Sequence, residues 1–133
     1  MSLFNLSDKV YAVTGASGAL AGTAARYLAQ SGARVAFISR SQSKLDAAVK
    51  DLGPEVATFP CDVTDREALE KTFALILERF GRIDGLINGA GGNMPGATIS
   101  PGATVFDLDF NDYEKVLELN LSGTLLPLSL IHI

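Results

Sequence analysis

The chain has 133 residues, of which 47% are hydrophobic and 20% charged, a size and balance typical of one globular domain and not of a disordered or fibrous chain. Its net charge is −4, from 11 basic and 15 acidic side chains, which disfavours a nucleic-acid surface because such surfaces neutralise phosphates with basic residues. The chain has one cysteine, and it has neither an apolar stretch of about 20 residues nor a basic N-terminal segment followed by an apolar one. These features predict a cytoplasmic protein without a membrane segment.

Short apolar segments alternate with helix-forming segments from the start of the chain. Residues 10–14 predict a buried strand that runs directly into a glycine, and residues 19–29 predict the helix that follows it. Residues 35–38 predict a second apolar strand. Ser41 is the expected N-cap of a second helix, which the glycine and proline at 53–54 end.

The same alternation continues through the middle of the chain. Residues 56–59 predict a third strand, and Thr64 with Glu67 predicts a capping box at the start of a third helix. Residues 83–87 predict a fourth strand. The segment 93–104 is rich in glycine, proline, serine and threonine; it is too long for a plain connection, which indicates a functional loop.

The last predicted helix begins at Asp109 or Asn111. After Pro127 the sequence is poor helix material, so we expect the helix to break there. The single histidine, His132, lies in this tail and indicates no metal site. We therefore expect residues 125–133 to be a tail that is not native to the domain.

This order of elements predicts an α/β fold, a doubly wound parallel sheet of the Rossmann type. Apolar strands separated by helices are covered on both faces and are joined by right-handed crossovers. Four strands make only the N-terminal half of such a fold, with the expected order 3-2-1-4 and a truncation before strand five. We assign residues 1–133 to this one incomplete domain.

The turn between the first strand and the first helix is the strongest functional signal. It reads TGASGALAG over residues 14–22. The first amides of a helix are unpaired and partly positive, and glycine lets phosphate oxygens approach them closely. A turn that follows a strand and opens a helix predicts a dinucleotide site, with a tight packing turn as the alternative. No Gly-Lys-Ser/Thr follows, which argues against a P-loop triphosphatase.

The second predicted strand ends in Ser39 and Arg40, where dinucleotide folds hold the adenosine ribose. An acidic residue there binds the ribose of NAD, whereas arginine accommodates a 2′-phosphate. A hydroxyl beside a guanidinium, together with Ser17, favours NADP(H), and NAD(H) remains the alternative. Arg40 could equally be a solvated loop cation. A methyltransferase with this type of sheet would also need an acidic residue at the end of the second strand to bind a ribose. The absence of that residue disfavours this class of enzyme.

Taken in order, three motifs resemble the short-chain dehydrogenase/reductase family. They are the glycine-rich turn, Cys-Asp-Val at 61–63 after the third strand, and NGAG at 88–91 after the fourth. The resemblance covers nearly the whole chain, from Asp8 to about Thr124.

The chain departs from the family pattern at three glycine or asparagine positions. The usual TGxxxGxG pattern would place glycine at 19 and 21, where this chain has alanine, and Gly89 replaces the second asparagine of the family's NNAG. A family variant that reads TGGGGxLG fits better, and its matches here are Gly15, Gly18 and Leu20.

The resemblance implies a coenzyme site at the ends of the strands. It implies that Asp62 accepts a hydrogen bond from the adenine amino group while Val63 packs on the ring, although Asp62 could instead cap a helix. It implies that Asn120 is catalytic, holding a water of the proton relay where the long helix bends; capping or bending alone is the alternative. The implied coenzyme-binding residues are Gly15, Ser17, Gly18, Leu20, Ser39, Arg40, Asp62, Val63, Asn88, Gly89, Ala90 and Gly91.

The resemblance also implies the reaction, a hydride transfer between a nicotinamide and a ketone or secondary alcohol. Segments 88–98, 106–109 and 119–127 are similar to D-mannonate oxidoreductases and related sugar-acid reductases of the family, which interconvert D-mannonate and D-fructuronate. The family commonly forms homodimers and tetramers through helices that include the one after Asp109. A dinucleotide-sensing module without catalysis is the alternative.

The family's catalytic tyrosine and lysine are absent from this chain. None of Tyr11, Tyr27 and Tyr113 has a lysine four residues later, and all three precede Asn120, whereas the family's tyrosine follows it. We therefore expect the chain alone to be inactive. We also expect it to be poorly stable, because its fourth strand and last helix would expose surfaces meant for other segments.

Overall fold

Four parallel strands form the sheet of the computed structural model, which describes residues 5–131. The strands are β1 (Val10–Thr14), β2 (Arg34–Ser39), β3 (Val56–Pro60) and β4 (Gly85–Asn88). Their spatial order is β3-β2-β1-β4, so that β1 pairs with both β2 and β4. The predicted α/β fold and its strand order are confirmed.

Helices connect the strands and cover both faces of the sheet. They are α1 (Ala19–Gln30), α2 (Gln42–Val49), α3 (Arg66–Phe80), α4 (Phe110–Leu117) and α5 (Gly123–Leu130). Between residues 5 and 131, no helix combines the length and the apolar character that a membrane crossing requires.

Side chains that alternate along the central strands fill two separate cores. Val13 of β1 and Phe37 of β2 point to the side of α1 and α2, where Leu45 is also fully buried. On the opposite face, Ile38 of β2 packs with Ile76 of α3. Because both faces are covered, β1 and β2 bury nearly every residue, as expected for central parallel strands.

The fourth strand begins later than the sequence predicts, at Gly85 and not at Ile83. Asp84 explains the difference. Its amide donates to the carbonyl of Val10, and its carboxylate accepts from the amide of Val10 at 2.9 Å, so a side chain takes the place of a strand partner. The regular ladder therefore starts one residue after Asp84.

The predicted capping box at the start of α3 is wrong. Asp65 is the N-cap, and its carboxylate accepts from the amide of Ala68 at 3.0 Å. The hydroxyl of Thr64 instead donates to Asp62 at 2.7 Å. Thr64 therefore cannot cap the helix, and Asp62, which the sequence also offered as a cap, forms a local turn before it.

After Asp109, the N-cap of α4, the chain is helical from Phe110 to Leu130. A π-helical turn, Glu118–Ser122, joins α4 to α5. The predicted break after Pro127 is wrong, because α5 continues to Leu130; the side chain of Pro127 is fully buried, and this burial offsets the hydrogen bond that proline cannot donate. His132 lies outside the described residues.

The long loop before α4 is held by polar contacts rather than left open. It contains two short 3-10 turns, Pro95–Ala97 and Val105–Asp107. The amide of Gly96 donates to Asp112 at 3.1 Å, and the carbonyl of Gly96 accepts from the amide of Asp109 at 2.9 Å. The loop is therefore fastened to the first turn of α4.

Candidate functional site

A cavity of about 360 Å³ opens at the carboxyl ends of β1, β2 and β4. This is the edge at which doubly wound sheets bind ligands, and the volume is within the usual range for small-molecule sites. The lining residues are Gly15, Ser17, Gly18, Ser39, Arg40, Ser41, Lys44, Cys61, Val63, Gly89, Ala90, Gly91 and Leu119.

The turn from β1 into α1 forms the floor of this cavity. Gly15 has a φ of 67°, and a Cβ atom there would lie 2.4 Å from the carbonyl oxygen of Gly89, so only glycine fits. Gly18 is the N-cap of α1, and no side chain caps the helix. The first-turn amides of α1 therefore remain available to an anion, as the glycine-rich turn predicts.

Buried Thr14 connects this turn to the loop after β4. Its Oγ1 accepts hydrogen bonds from the amides of Gly89 and Ala90 at 3.1 and 3.2 Å. The sequence analysis missed this role, although a hydroxyl at the end of an apolar strand is a signal for it. Thr14 thereby fixes the relative position of two segments that line the cavity.

Two of the three departures from the family pattern, at positions 21 and 89, meet at one contact. A Cβ atom at Gly89 would lie 2.3 Å from the Cβ of Ala21. Alanine at position 21, where the family pattern has glycine, therefore requires glycine at position 89, where the pattern has asparagine. The two substitutions compensate each other only in part, because the same Cβ atom would also lie 2.7 Å from the carbonyl oxygen of Thr14.

The end of the cavity beside β2 is polar and positively charged. Ser39 is only 9% exposed, and its Oγ has no hydrogen-bond partner among residues 5–131. Arg40 and Lys44 are both exposed, and neither forms an ion pair within that part of the chain. Ser41 caps α2, as the sequence predicts, by accepting from the amide of Lys44.

These two cations are unusual in this protein because nearly every other basic side chain has a partner. Apart from Lys50, the remaining lysines and arginines contact a carboxylate or a backbone carbonyl. Lys44 was not predicted from the sequence; it lies in the first turn of α2, four residues after Arg40, and lines the same cavity.

The segment after β3 contributes an apolar wall. Val63 and Cys61 line the cavity, whereas Asp62 does not. The amide and hydroxyl of Thr64 donate to Asp62 and hold the pKa of that carboxyl below its ordinary value, against an opposing effect of burial. Burial raises the pKa of the Cys61 thiol, which favours its neutral form.

The segment after β4 and the π-helical turn close the opposite end. Leu119 lines the cavity, whereas Asn120 lies just outside it and bonds to the backbone of Gly92 through its side-chain amide. The Oδ1 atom of Asn88 is buried and has no hydrogen-bond partner within the described residues. Asn88 does not line the cavity.

Most of the predicted coenzyme-binding residues come together in this cavity. Those that line it are Gly15, Ser17, Gly18, Ser39, Arg40, Val63, Gly89, Ala90 and Gly91. Those that do not are Leu20, Asp62 and Asn88, and Asn120, which was predicted as catalytic, does not line it either. The side chain of Leu20 is 90% exposed in the first turn of α1, beside the cavity floor. Ser41, Lys44, Cys61 and Leu119 line the cavity and were not predicted.

Comparison with known protein families gives one match that covers almost the whole chain. Residues 9–131 match the model of the short chain dehydrogenase family.

Two curated relatives are 38% and 34% identical to this chain over the aligned residues. "Uncharacterized oxidoreductase UxuB" of Bacillus subtilis is 38% identical over 133 residues, which cover 92% of this chain and 48% of that protein. "Fatty acyl-CoA reductase" of Acinetobacter baylyi is 34% identical over 122 residues, which cover 90% of this chain and 40% of that protein. The chain thus spans about half, or less, of the length of these curated relatives.

A solved structure with the same fold carries a nicotinamide coenzyme. The crystal structure of a "putative D-Mannonate oxidoreductase" from Haemophilus influenza with bound NAD is similar to this chain with a TM-score of 0.86 and 32% sequence identity. The match covers 95% of this chain and 50% of the crystallised chain.

Proposed function

The chain belongs to the short-chain dehydrogenase family, and from that premise we propose that it forms the coenzyme-binding half of a nicotinamide-dependent oxidoreductase. The observation that carries the proposal is the cavity at the ends of β1, β2 and β4. Its floor is a capless helix N-terminus, which suits a pyrophosphate, and its two ends lie on opposite sides of β1, which suits two nucleosides.

The residues present fit such a coenzyme. The glycines at 15 and 89 let the β1–α1 turn and the loop after β4 pack tightly against each other, so that both segments line the cavity. The orphaned hydroxyl of Ser39 offers a hydrogen bond that no residue from 5 to 131 takes. When bound, the coenzyme would supply a hydride to the carbonyl carbon of a ketone, or accept one from a secondary alcohol, while an acid–base group exchanges the proton on oxygen.

NADP(H) is the coenzyme that we propose, with NAD(H) as the alternative. Ser39, Arg40 and Lys44 surround one end of the cavity, and no carboxylate lines it among the described residues. A 2′-phosphate would supply the acceptor oxygens that an unpaired guanidinium and ammonium lack. Ser17, which lines the cavity floor, offers a further hydroxyl.

Titration calorimetry on the 133-residue chain tests the coenzyme proposal. We expect NADPH to bind more tightly than NADH, and Arg40→Gln and Lys44→Gln to weaken NADPH about tenfold each while changing NADH little, since each loses one charge-assisted contact. Lys50→Gln is the matched control, because Lys50 does not line the cavity. Failure of the chain to bind either coenzyme, or tighter binding of S-adenosylmethionine, would contradict the proposal.

The proposed substrate is a sugar acid whose ketone and secondary alcohol forms interconvert, as D-fructuronate and D-mannonate do. The similarity of segments 88–98 and 119–127 to sugar-acid reductases supports this choice, and so does the name of the Haemophilus influenza neighbour. We propose that the chain by itself does not complete the reaction, because the Tyr-x-x-x-Lys pair that the family resemblance requires is absent from its sequence. Consumption of NADPH by the purified chain in the presence of D-fructuronate would overturn this statement.

Asn120 completes the proposed site at the end beside β4. The family resemblance gives it a part in the reaction, and its position next to Leu119, which lines the cavity, supports an assignment to the nicotinamide end. Its hydrogen bonds to Gly92 connect it to the loop that forms this wall.

We also propose that the intact protein forms a homo-oligomer, a dimer or tetramer, in a reducing compartment such as the cytoplasm. A row of exposed apolar side chains along α4 and α5 supports the assembly, and its members are Phe110, Tyr113, Leu117, Leu121, Leu125 and Leu128. The free thiol of Cys61 supports the compartment. Sedimentation velocity at rising concentration tests the assembly, and a strictly monomeric protein would contradict it.

A further inference from the structure

We propose that Gly123 is a positioning residue, which acts on the coenzyme by leaving room for Val63 in the wall of the cavity. Val63 lines the cavity, whereas Gly123 lies behind it at the start of α5. This inference rests on the proposed function, since it assigns the wall that contains Val63 to the adenine ring of the coenzyme.

The backbone conformation of Gly123 does not require glycine. Its φ and ψ are −64° and −11°, in the right-handed helical region that alanine also adopts. The residue lies in the middle of a helical segment that runs from Phe110 to Leu130, where glycine costs about 1 kcal/mol relative to alanine. The reason for glycine at this position must therefore lie in its neighbours.

The close approach of Val63 supplies that reason. A Cβ atom on Gly123 would lie 2.8 Å from the Cγ2 atom of Val63, and the next nearest atoms are 3.8 Å away. Carbon atoms that are not bonded to each other pack at about 3.5–4.0 Å, so a methyl group at position 123 would displace the valine side chain.

The displaced side chain of Val63 would move toward the cavity. Val63 is 4% exposed and belongs to the core between α3 and the sheet. Protein cores are close-packed, and the branched side chain of valine has little freedom at χ1, so the core side offers no room. The cavity is the empty space that Val63 borders. A methyl group at position 123 should therefore narrow the cavity.

The wall that contains Val63 is attached to the cationic end of the cavity. The amide of Cys61 donates to the carbonyl oxygen of Ser39 at 2.9 Å, which joins the segment after β3 to the end of β2. Arg40, proposed to bind the 2′-phosphate, follows Ser39 directly. In NADPH the ribose that carries this phosphate also carries adenine. The apolar wall of Cys61 and Val63 suits the face of that ring.

Calorimetry on the 133-residue chain with NADPH and its fragment 2′,5′-ADP tests the inference. We expect Gly123→Ala to weaken both ligands by the same factor, about tenfold, because both carry the adenine ring whose space the displaced valine narrows. Gly53→Ala is the matched control, because a Cβ atom at Gly53 would have no neighbour within 4 Å, and it should change neither affinity. A loss confined to NADPH, or unchanged affinity for both ligands, would overturn the inference.

The same change in a Val63→Ala background separates the positioning role from a general loss of packing. Val63→Ala removes the side chain that the methyl group displaces, so adding Gly123→Ala should cause no further loss of affinity for either ligand. The double variant should also fold, because the overlap is gone. An equal loss from Gly123→Ala in both backgrounds would overturn the positioning role while leaving the proposed function intact. If the unchanged chain binds neither ligand, the proposed function fails and this inference fails with it.

Discussion

The part of the molecule built by β1 and β2 and the part built by β4, α4 and α5 differ in how completely the chain covers them. Strand β2 buries five of its six residues, whereas all four residues of β4 are only partly buried and α4 buries none. We call the region of β1 and β2, with the helices α1 and α2 that cover it, the finished side. We call the region of β4, α4 and α5, with the loop before α4, the open side.

The two sides also form their parts of the cavity through different kinds of contact. On the finished side, the floor and the cationic end depend on short local features, such as a glycine turn and two basic residues four positions apart in the sequence. On the open side, the wall depends on long-range polar contacts between the β4 loop and the π-helical turn. We expect the finished side to determine stability and the open side to determine the fit of the ligand.

The largest expected effect is on the stability of the finished side. Phe37 is 0% exposed in β2, and Phe37→Ala should lower the free energy of unfolding by about 3–5 kcal/mol because it leaves a cavity in the core. Phe106, on the open side, is 93% exposed, and Phe106→Ala should change it by less than about 0.5 kcal/mol. Urea denaturation of both variants is the measurement; equal losses would remove the distinction between the two sides.

The next effect concerns the contact where the two sides meet. Gly89→Ala should destabilise the fold by about 1–3 kcal/mol, because the added methyl group overlaps both Ala21 and the carbonyl oxygen of Thr14. Ala21→Gly alone should cost about 1 kcal/mol of helix propensity. The double variant should lose less than the sum of the two single changes. Strict additivity in a double-mutant cycle would contradict the compensation proposed for positions 21 and 89.

The smallest effect is a pH dependence on the finished side. The Arg26 guanidinium lowers the pKa of the Asp51 carboxyl from 3.8 to about 2. A carboxyl whose pKa is lower in the folded state stabilises the fold above the unfolded pKa, and this contribution disappears as the pH falls from about 4 to about 2. Asp51 is exposed and Arg26 is partly exposed, so solvent screening keeps the contribution small.

Two aspartate-to-asparagine variants, one on each side of the molecule, measure how much the ionised carboxylate contributes to stability. The stability difference between the unchanged chain and Asp51→Asn should shrink as the pH falls through that range. Asp112→Asn is the counterpart on the open side, where Lys115 and the Gly96 amide lower the pKa of Asp112 in the same direction. A difference that grows toward low pH in either variant would reverse the assigned sign.

Local signals in the sequence predicted the finished side well. The apolar strands, the glycine turn and the Ser41 cap each depend on a few neighbouring residues, and the structure has them where the pattern places them. The capping box failed because Thr64 has two oxygen-rich neighbours, and the pattern does not say that its hydroxyl donates to Asp62 while Asp65 caps.

Sequence patterns were less informative where distant contacts decide the structure. Pro127 reads as a helix breaker, and its burial, which keeps it helical, depends on packing that no local pattern contains. Lys44 and Leu119 join the cavity only because the fold brings them there. The pairing of Ala21 with Gly89 appeared in the sequence as two unrelated departures, and only their distance connects them.

The central claim is that one dinucleotide spans the ends of β2, β1 and β4, and amide chemical shifts measured during an NADPH titration test it most directly. The account predicts saturable shifts in three separated segments, at Gly15–Gly18, at Arg40–Lys44 and at Gly89–Gly91, all with the same dissociation constant. Shifts confined to other surfaces, or no saturable shift in the β1–α1 turn, would contradict it.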